Sequence, residues 1–234
     1  MSINFSGKKD KSMQLLTSSV GRKILVAISG QLMLLFVVAH LLGNSSIFIP
    51  GGINAYAEHI HALPPLIWGI RVIMLASVVV HIYFGIQITL ENRAANPTPY
   101  AVNRKLKATF SGMNMIWTGI LLISFIIYHL LHFTARVMPD VSSRLSFLSA
   151  GTTFDVYSMV VGSFRHGAIA ALYIAAMVVL FLHLNHGIQA FFQTMGWNSA
   201  RTLPLISKAG RIIAFIFLLG YSSIPVFIFF RILT

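Results

Sequence analysis

Residues 167–192 read GAIAALYIAAMVVLFLHLNHGIQAFF, twenty-six positions without a charged side chain. A helix crossing the hydrocarbon of a bilayer needs about 20 predominantly apolar residues, and this stretch supplies them. Four more stretches of this kind lie at 24–43, 66–90, 113–135 and 212–230. None alternates as a barrel strand would, and each is too long for one. The spacing therefore predicts an all-α membrane protein, with residues 1–234 forming one domain of five transmembrane helices. Composition agrees: of 234 residues 56% are hydrophobic and 9% charged, and the mean hydropathy is +0.80. A soluble domain carries about 25% charged residues.

The net charge of +12 would suggest nucleic acid in a soluble protein. Here topology accounts for it, and no nucleic-acid partner is expected. The N-terminal segment carries Lys8, Lys9, Lys11, Arg22 and Lys23. The second connection carries Arg93, Arg104, Lys105 and Lys107, and the fourth Arg201, Lys208 and Arg211. Those twelve fall on one side; the other side has five, Arg71, Arg136, Arg144, Arg165 and Arg231. The positive-inside rule then puts the N-terminus in the cytoplasm and the C-terminus outside. The N-terminal segment lacks the cleavage pattern of a signal peptide and reads as a retained tail. Pro64 and Pro65 suit the start of the second helix. Asn96-Pro97-Thr98-Pro99 reads as a turn before the third. The connections 44–65 and 136–166 are long enough to fold over the outer surface.

Cysteine is absent, which excludes disulfides, iron–sulfur clusters, thiolate metal sites and covalently attached haem. Histidine is abundant instead, with nine residues against five acidic ones. His40, His81, His129, His132, His183 and His186 fall within spans, where polar side chains are costly and face the bundle interior. A single intramembrane histidine is readily explained by a hydrogen bond to a neighbouring helix. One on each of four helices asks for more. At about 1.5 Å per residue, His40 lies roughly 25 Å from Lys23, and His129 about 27 Å from Ser111. His81 lies about 15 Å from Glu91, and His183 about 18 Å from Met195. The four histidines form an outer pair, His40 with His129, and an inner pair, His81 with His183, roughly 10 Å apart along the membrane normal. Two facing imidazoles suit the axial positions of a haem iron, so two b-type haems are expected. Depth favours His129 over His132 but does not separate His183 from His186. The spare histidines suit hydrogen bonds to propionates or backbone. Zinc would need three or four ligands at one level. A proton-coupled transporter would show inverted repeats and broken helices. Neither is evident in the sequence.

Around His40 the chain reads Phe36-Val37-Val38-Ala39-His40-Leu41-Leu42-Gly43-Asn44, preceded by Ser29-Gly30-Gln31 and followed by Asn54-Ala55-Tyr56-Ala57. Around His129 stand Trp117-Thr118-Gly119 and Tyr128-His129-Leu130. Around His183 stand His183-Leu184-Asn185-His186-Gly187-Ile188-Gln189 and Gly196-Trp197. In order, spacing and placement on four helices, these resemble the cytochrome b membrane-anchor subunit of succinate dehydrogenases and fumarate reductases, in the bacterial form where one five-helix chain holds two haems. The resemblance runs from Arg22 to about Arg231.

It implies axial ligands from each of the first four helices: His40 and His129 for the outer haem, His81 and His183 for the inner one. His183 precedes Gly187 as the family's fourth ligand precedes a glycine, which favours it over His186. It also implies a flavoprotein subunit and an iron–sulfur subunit bound on the cytoplasmic face of a bacterial inner membrane. Electrons would pass to or from a quinone, menaquinone being the usual partner of two-haem carriers. This chain has neither a dinucleotide-binding motif nor cysteine, so dicarboxylate chemistry would belong to the partners. Quinone turnover also moves protons, so an ionisable group is expected near a haem edge. Glu58 is the one glutamate of the outer connections, and some relatives use a glutamate in this stretch. His59, His61 and Arg71 are nearby candidates for the same pocket. Arg165 suits an outer-haem propionate, and Arg93 and Lys23 suit inner propionate or partner contacts. Other readings are the cytochrome b of another respiratory complex, which in the five-helix nitrate reductase type takes its ligands from two helices, and a haem-free transporter.

Overall fold

The structure is a computed structural model, and it describes residues 16–95, 110–137 and 155–233. Among these it is all-helical, with five helices long and apolar enough to cross a membrane. Helix α1 spans Ser19–Ser45 and ends in a tight turn, Ser46–Phe48. The short α2 covers Gly52–His61, and α3 runs Pro64–Ala94. Helix α4, Met115–His129, continues into one wider turn, Leu130–Thr134. The short α5 covers Val156–Phe164, and α6 and α7 span Gly167–Thr194 and Leu203–Phe229. In hydrocarbon no water satisfies backbone polar groups, so long uninterrupted helices are the available solution.

Local chemistry sets several boundaries. Ser18 caps α1, its hydroxyl accepting from the Gly21 amide at 3.0 Å. Proline occupies the first turn of α3, where a missing N–H costs nothing. The fifth span corrects the sequence reading: α7 begins at Leu203, not 212, so Lys208 and Arg211 lie on its first turns rather than in a connection. Hydropathy finds only the lipid-facing stretch, whereas Pro204 in the first turn starts the helix earlier. Glu91 likewise lies inside α3 and pairs with Arg22 of α1 at 2.7 Å, pinning the two helices at the ends expected to be cytoplasmic. The Asn96-Pro97-Thr98-Pro99 turn, Lys8, Lys9, Lys11, Arg104, Lys105, Lys107 and Arg144 lie outside the described residues.

Helix α1 packs on α3, α6 packs on α7 and α4, and α1 reaches across to α6 and α7. Gly220 of α7 makes one close crossing possible: a Cβ there would stand 2.9 Å from Leu41 Cδ2 on α1. Small residues serve this purpose in membrane bundles.

The best-buried apolar cluster sits at the opposite end of the bundle from the Arg22–Glu91 pair. Ile47 and Ile53 meet Val161 and Phe164 of α5, Ala170 and Tyr173 of α6, and Ile224 and Ile228 of α7. A polar clasp joins the two connecting helices there. Asn54 of α2 donates to Asp155 Oδ1 at 2.9 Å, and its own oxygen accepts from the Tyr157 amide at 2.9 Å. Asp155 also caps α5, accepting from the Ser158 amide at 3.0 Å. Desolvation acts to raise the Asp155 pKa, but the bonds from Ser158, Asn54 and Tyr157 prevail and hold the carboxyl below its usual value. The bonded form is the ionised one, so the clasp is complete at neutral pH and lost as pH falls through that depressed pKa. Asn54→Ala should therefore speed hydrogen exchange at the Tyr157 and Ser158 amides at pH 7. Unchanged exchange would show that the apolar cluster alone holds the connections.

Candidate functional site: two pairs of imidazoles

The four spans α1, α3, α4 and α6 each bring a histidine to the interior. At the level expected to be the outer one, the rings of His40 and His129 stand 6.0 Å apart, centre to centre, nearly perpendicular at 88°. At the level expected to be the inner one, His81 and His183 stand 6.2 Å apart at 59°. Imidazole nitrogen binds a metal at about 2.0–2.1 Å. With about 1.1 Å more from nitrogen to ring centre on each side, two imidazoles gripping one metal from opposite faces would have centres about 6.3 Å apart. Both pairs stand close to that separation.

The inner pair is built by contacts between neighbouring helices. His81 Nδ1 donates to the Val26 carbonyl of α1 at 3.0 Å. The ring lies so close to α1 that a Cβ on Gly30 would sit 3.1 Å from His81 Cε1. His183 Nδ1 bonds Thr118 Oγ1 of α4 at 3.0 Å. Bonds of this kind from the second ring nitrogen orient metal-binding histidines. His183 is the α6 histidine that faces His81.

The outer pair is surrounded by aromatic rings. His40 stacks on Phe36 at 5.3 Å and leans toward Tyr221 at 6.2 Å, whose hydroxyl donates to the Val37 carbonyl. His129 is flanked by Phe125, Phe133 and Tyr173. His132, only 4% exposed, stacks on Phe133 at 4.1 Å and bonds the Tyr173 hydroxyl at 3.0 Å, two side chains that also touch His129. The wider turn that follows His129 carries it there. Such turns insert one residue into a helix and re-aim side chains.

The remaining candidates lie on the short connecting helices or on exposed faces. Glu58 is exposed on α2, and no cation pairs with it among the described residues. His59 and His61 are exposed on the same helix, and His61 bonds the Ala57 carbonyl of its own helix at 2.7 Å. Arg71 of α3 is exposed and lies over Trp68, 5.1 Å from the ring centre. Arg165 is the exposed C-cap of α5. Arg71 is therefore placed by Trp68, and the Glu58 carboxylate forms no ion pair with it. Arg93, in the last turn of α3, is exposed, and Lys23 of α1 is exposed too. Val26, Ser29, Thr118 and Tyr173 carry no metal-binding or charge signal in the sequence, yet each lies against a paired or neighbouring histidine.

Among the described residues no three His, Asp or Glu side chains converge as a metal cage. Comparison of the chain with protein-family models, characterised proteins and solved structures finds no match.

Proposed function

We propose that this multi-pass membrane protein is the dihaem cytochrome b anchor of a succinate:quinone oxidoreductase in a bacterial cytoplasmic membrane. The observation that carries the reading is the pairing of four imidazoles from four different spans, with ring centres 6.0 and 6.2 Å apart. A hydrogen-bonding role for isolated histidines would not require that they meet in twos at separations near those of axial ligands. His40 and His129 would hold one haem b and His81 and His183 the other. Bound there, the haems supply one-electron carriers at two depths of the membrane.

The chain's own residues do the rest. The aromatic rings about His40 and His129 exclude water from the outer pair. The Val26 carbonyl and Thr118 hydroxyl orient the inner pair. In this reading the more basic face is cytoplasmic and binds the flavoprotein and iron–sulfur subunits, which oxidise succinate or reduce fumarate. Arg93 and Lys23 belong to that face, and Arg165 suits an outer propionate. Quinone, of the menaquinone type, exchanges electrons with the chain, and Glu58 with His61 and Arg71 line its outer approach.

A reduced-minus-oxidised absorption spectrum of the protein produced with haem available should show b-type bands, at about two haems per chain. A colourless protein would overturn the proposal and favour a haem-free transporter. Two haems with no association to flavoprotein and iron–sulfur partners would assign the chain to another respiratory complex.

A further inference from the structure

The inner imidazoles are gripped differently from the outer ones, and the difference fixes where their protons are. His81 Nδ1 faces the Val26 carbonyl at 3.0 Å. A carbonyl only accepts, so His81 Nδ1 carries the proton. His183 Nδ1 faces Thr118 Oγ1 at 3.0 Å. A hydroxyl has one proton and two lone pairs. Thr118 directs its proton at the carbonyls of Met115 and Asn114, at 3.0 and 3.2 Å within its own helix. With its proton on one of those carbonyls, which can only accept, Thr118 turns a lone pair to His183, and His183 Nδ1 is the donor. A neutral imidazole with its proton on Nδ1 has a bare lone pair on Nε2. The neighbouring Gly119 adds no bulk, since a Cβ there would stay 3.7 Å from His183 Cε1. At the outer level no comparable acceptor is given to His129: Tyr173 oxygen lies 3.4 Å from its Nδ1 and is nearer His132, at 3.0 Å.

We infer that Thr118 is the positioning residue of the inner site, holding His183 in the tautomer whose Nε2 can bind iron and strengthening that nitrogen as an electron donor. The inference rests on the dihaem reading. It also separates His183 from His186 by chemistry, because Thr118 bonds the former. An acceptor on Nδ1–H pushes electron density toward Nε2 and stabilises the ferric state. Removing the acceptor favours the ferrous state and raises the midpoint potential of the inner haem.

The test uses the full chain produced with haem, as wild type, Thr118→Val and Thr118→Ser. Valine keeps the branched shape without the acceptor, and serine keeps the acceptor. Redox titration followed by absorption would resolve the two haems, the inner one being the component lost in His81→Ala. In Thr118→Val the oxidised-to-reduced ratio of the inner haem at fixed potential should fall at least threefold. That corresponds to about 28 mV, at 59 mV per tenfold for one electron. The outer component should not move, and Thr118→Ser should match wild type. Loss of the inner haem from the valine variant alone would support the same role in stronger form. A wild-type inner midpoint in Thr118→Val would overturn it, and so would an equal shift in Thr118→Ser, which would make the effect one of packing. Absence of b-type bands from the wild type itself would instead overturn the dihaem reading.

Discussion

His40→Ala and His129→Ala should each yield a protein with about one haem in place of two, lacking the same spectral component. His81→Ala and His183→Ala should each lack the other component. The expectation follows from geometry: each ring has one partner, at 6.0 Å in the outer pair and 6.2 Å in the inner. A haem held by two helices loses half its axial grip when either ring goes, while the pair at the other level keeps both. Haem quantitation and redox titration of the four variants would check this. Loss of one component by both His40→Ala and His81→Ala would mean that the pairs run otherwise. His186→Ala should retain both haems, since Thr118 bonds His183 and no comparable acceptor is seen for His186. His132→Ala should also retain both. Its ring packs on Phe133 and bonds Tyr173, and the cost should fall on stability through the buried bond to Tyr173.

Glu58→Gln should assemble with both haems and oxidise succinate with an artificial acceptor, yet turn over quinone about 10²-fold more slowly. Glutamine keeps the shape of the side chain and removes its capacity to exchange a proton. Glu58 stands exposed on α2, without a cationic partner among the described residues, so no ion pair is broken by the change. The fold should tolerate it, because α2 is held by the buried Ile53 and by Asn54, not by Glu58. Wild-type quinone turnover in this variant would make Glu58 an ordinary surface carboxylate. Attention would then pass to the inner end near Arg93.

The membrane helices were readable because the solvent imposes them: a long apolar run in lipid has few alternatives to a helix. A constant rise per residue then anticipates which rings become neighbours, since His40 and His129, or His81 and His183, need only sit at equal depth. Boundaries were less readable. Lys208 and Arg211 looked like connection because hydropathy measures the solvent of a side chain, not the path of its backbone. The Arg22–Glu91 pair shows the same thing, with charges inside helices that extend beyond the hydrocarbon. The supports of the inner rings were out of reach. Thr118 stands in a stretch that carries the resemblance, but nothing in the sequence aims it at His183, and the Val26 carbonyl belongs to no side chain at all. Their part emerges only when helices that are distant in sequence lie side by side. The turn after His129 has no sequence signature either, and His132 within it bonds Tyr173.

The arrangement of helices also sets a timetable. Helices α1 and α3 pack together as one unit and α4, α6 and α7 as another, and both imidazole pairs straddle the seam between them. Ribosomes deliver the chain from its N-terminus at about 5–20 residues per second. His81 therefore waits about 5–20 s for His183, roughly a hundred residues later. His40 waits a similar time for His129. During that interval the first unit is already in the bilayer with two imidazoles presented along an uncovered flank. Neither site is complete until the second unit arrives, so the inner one cannot close before α6 has been made. In the proposed dihaem reading, acquisition of haem across this seam would be a late event of biogenesis, and it would clasp the two units together.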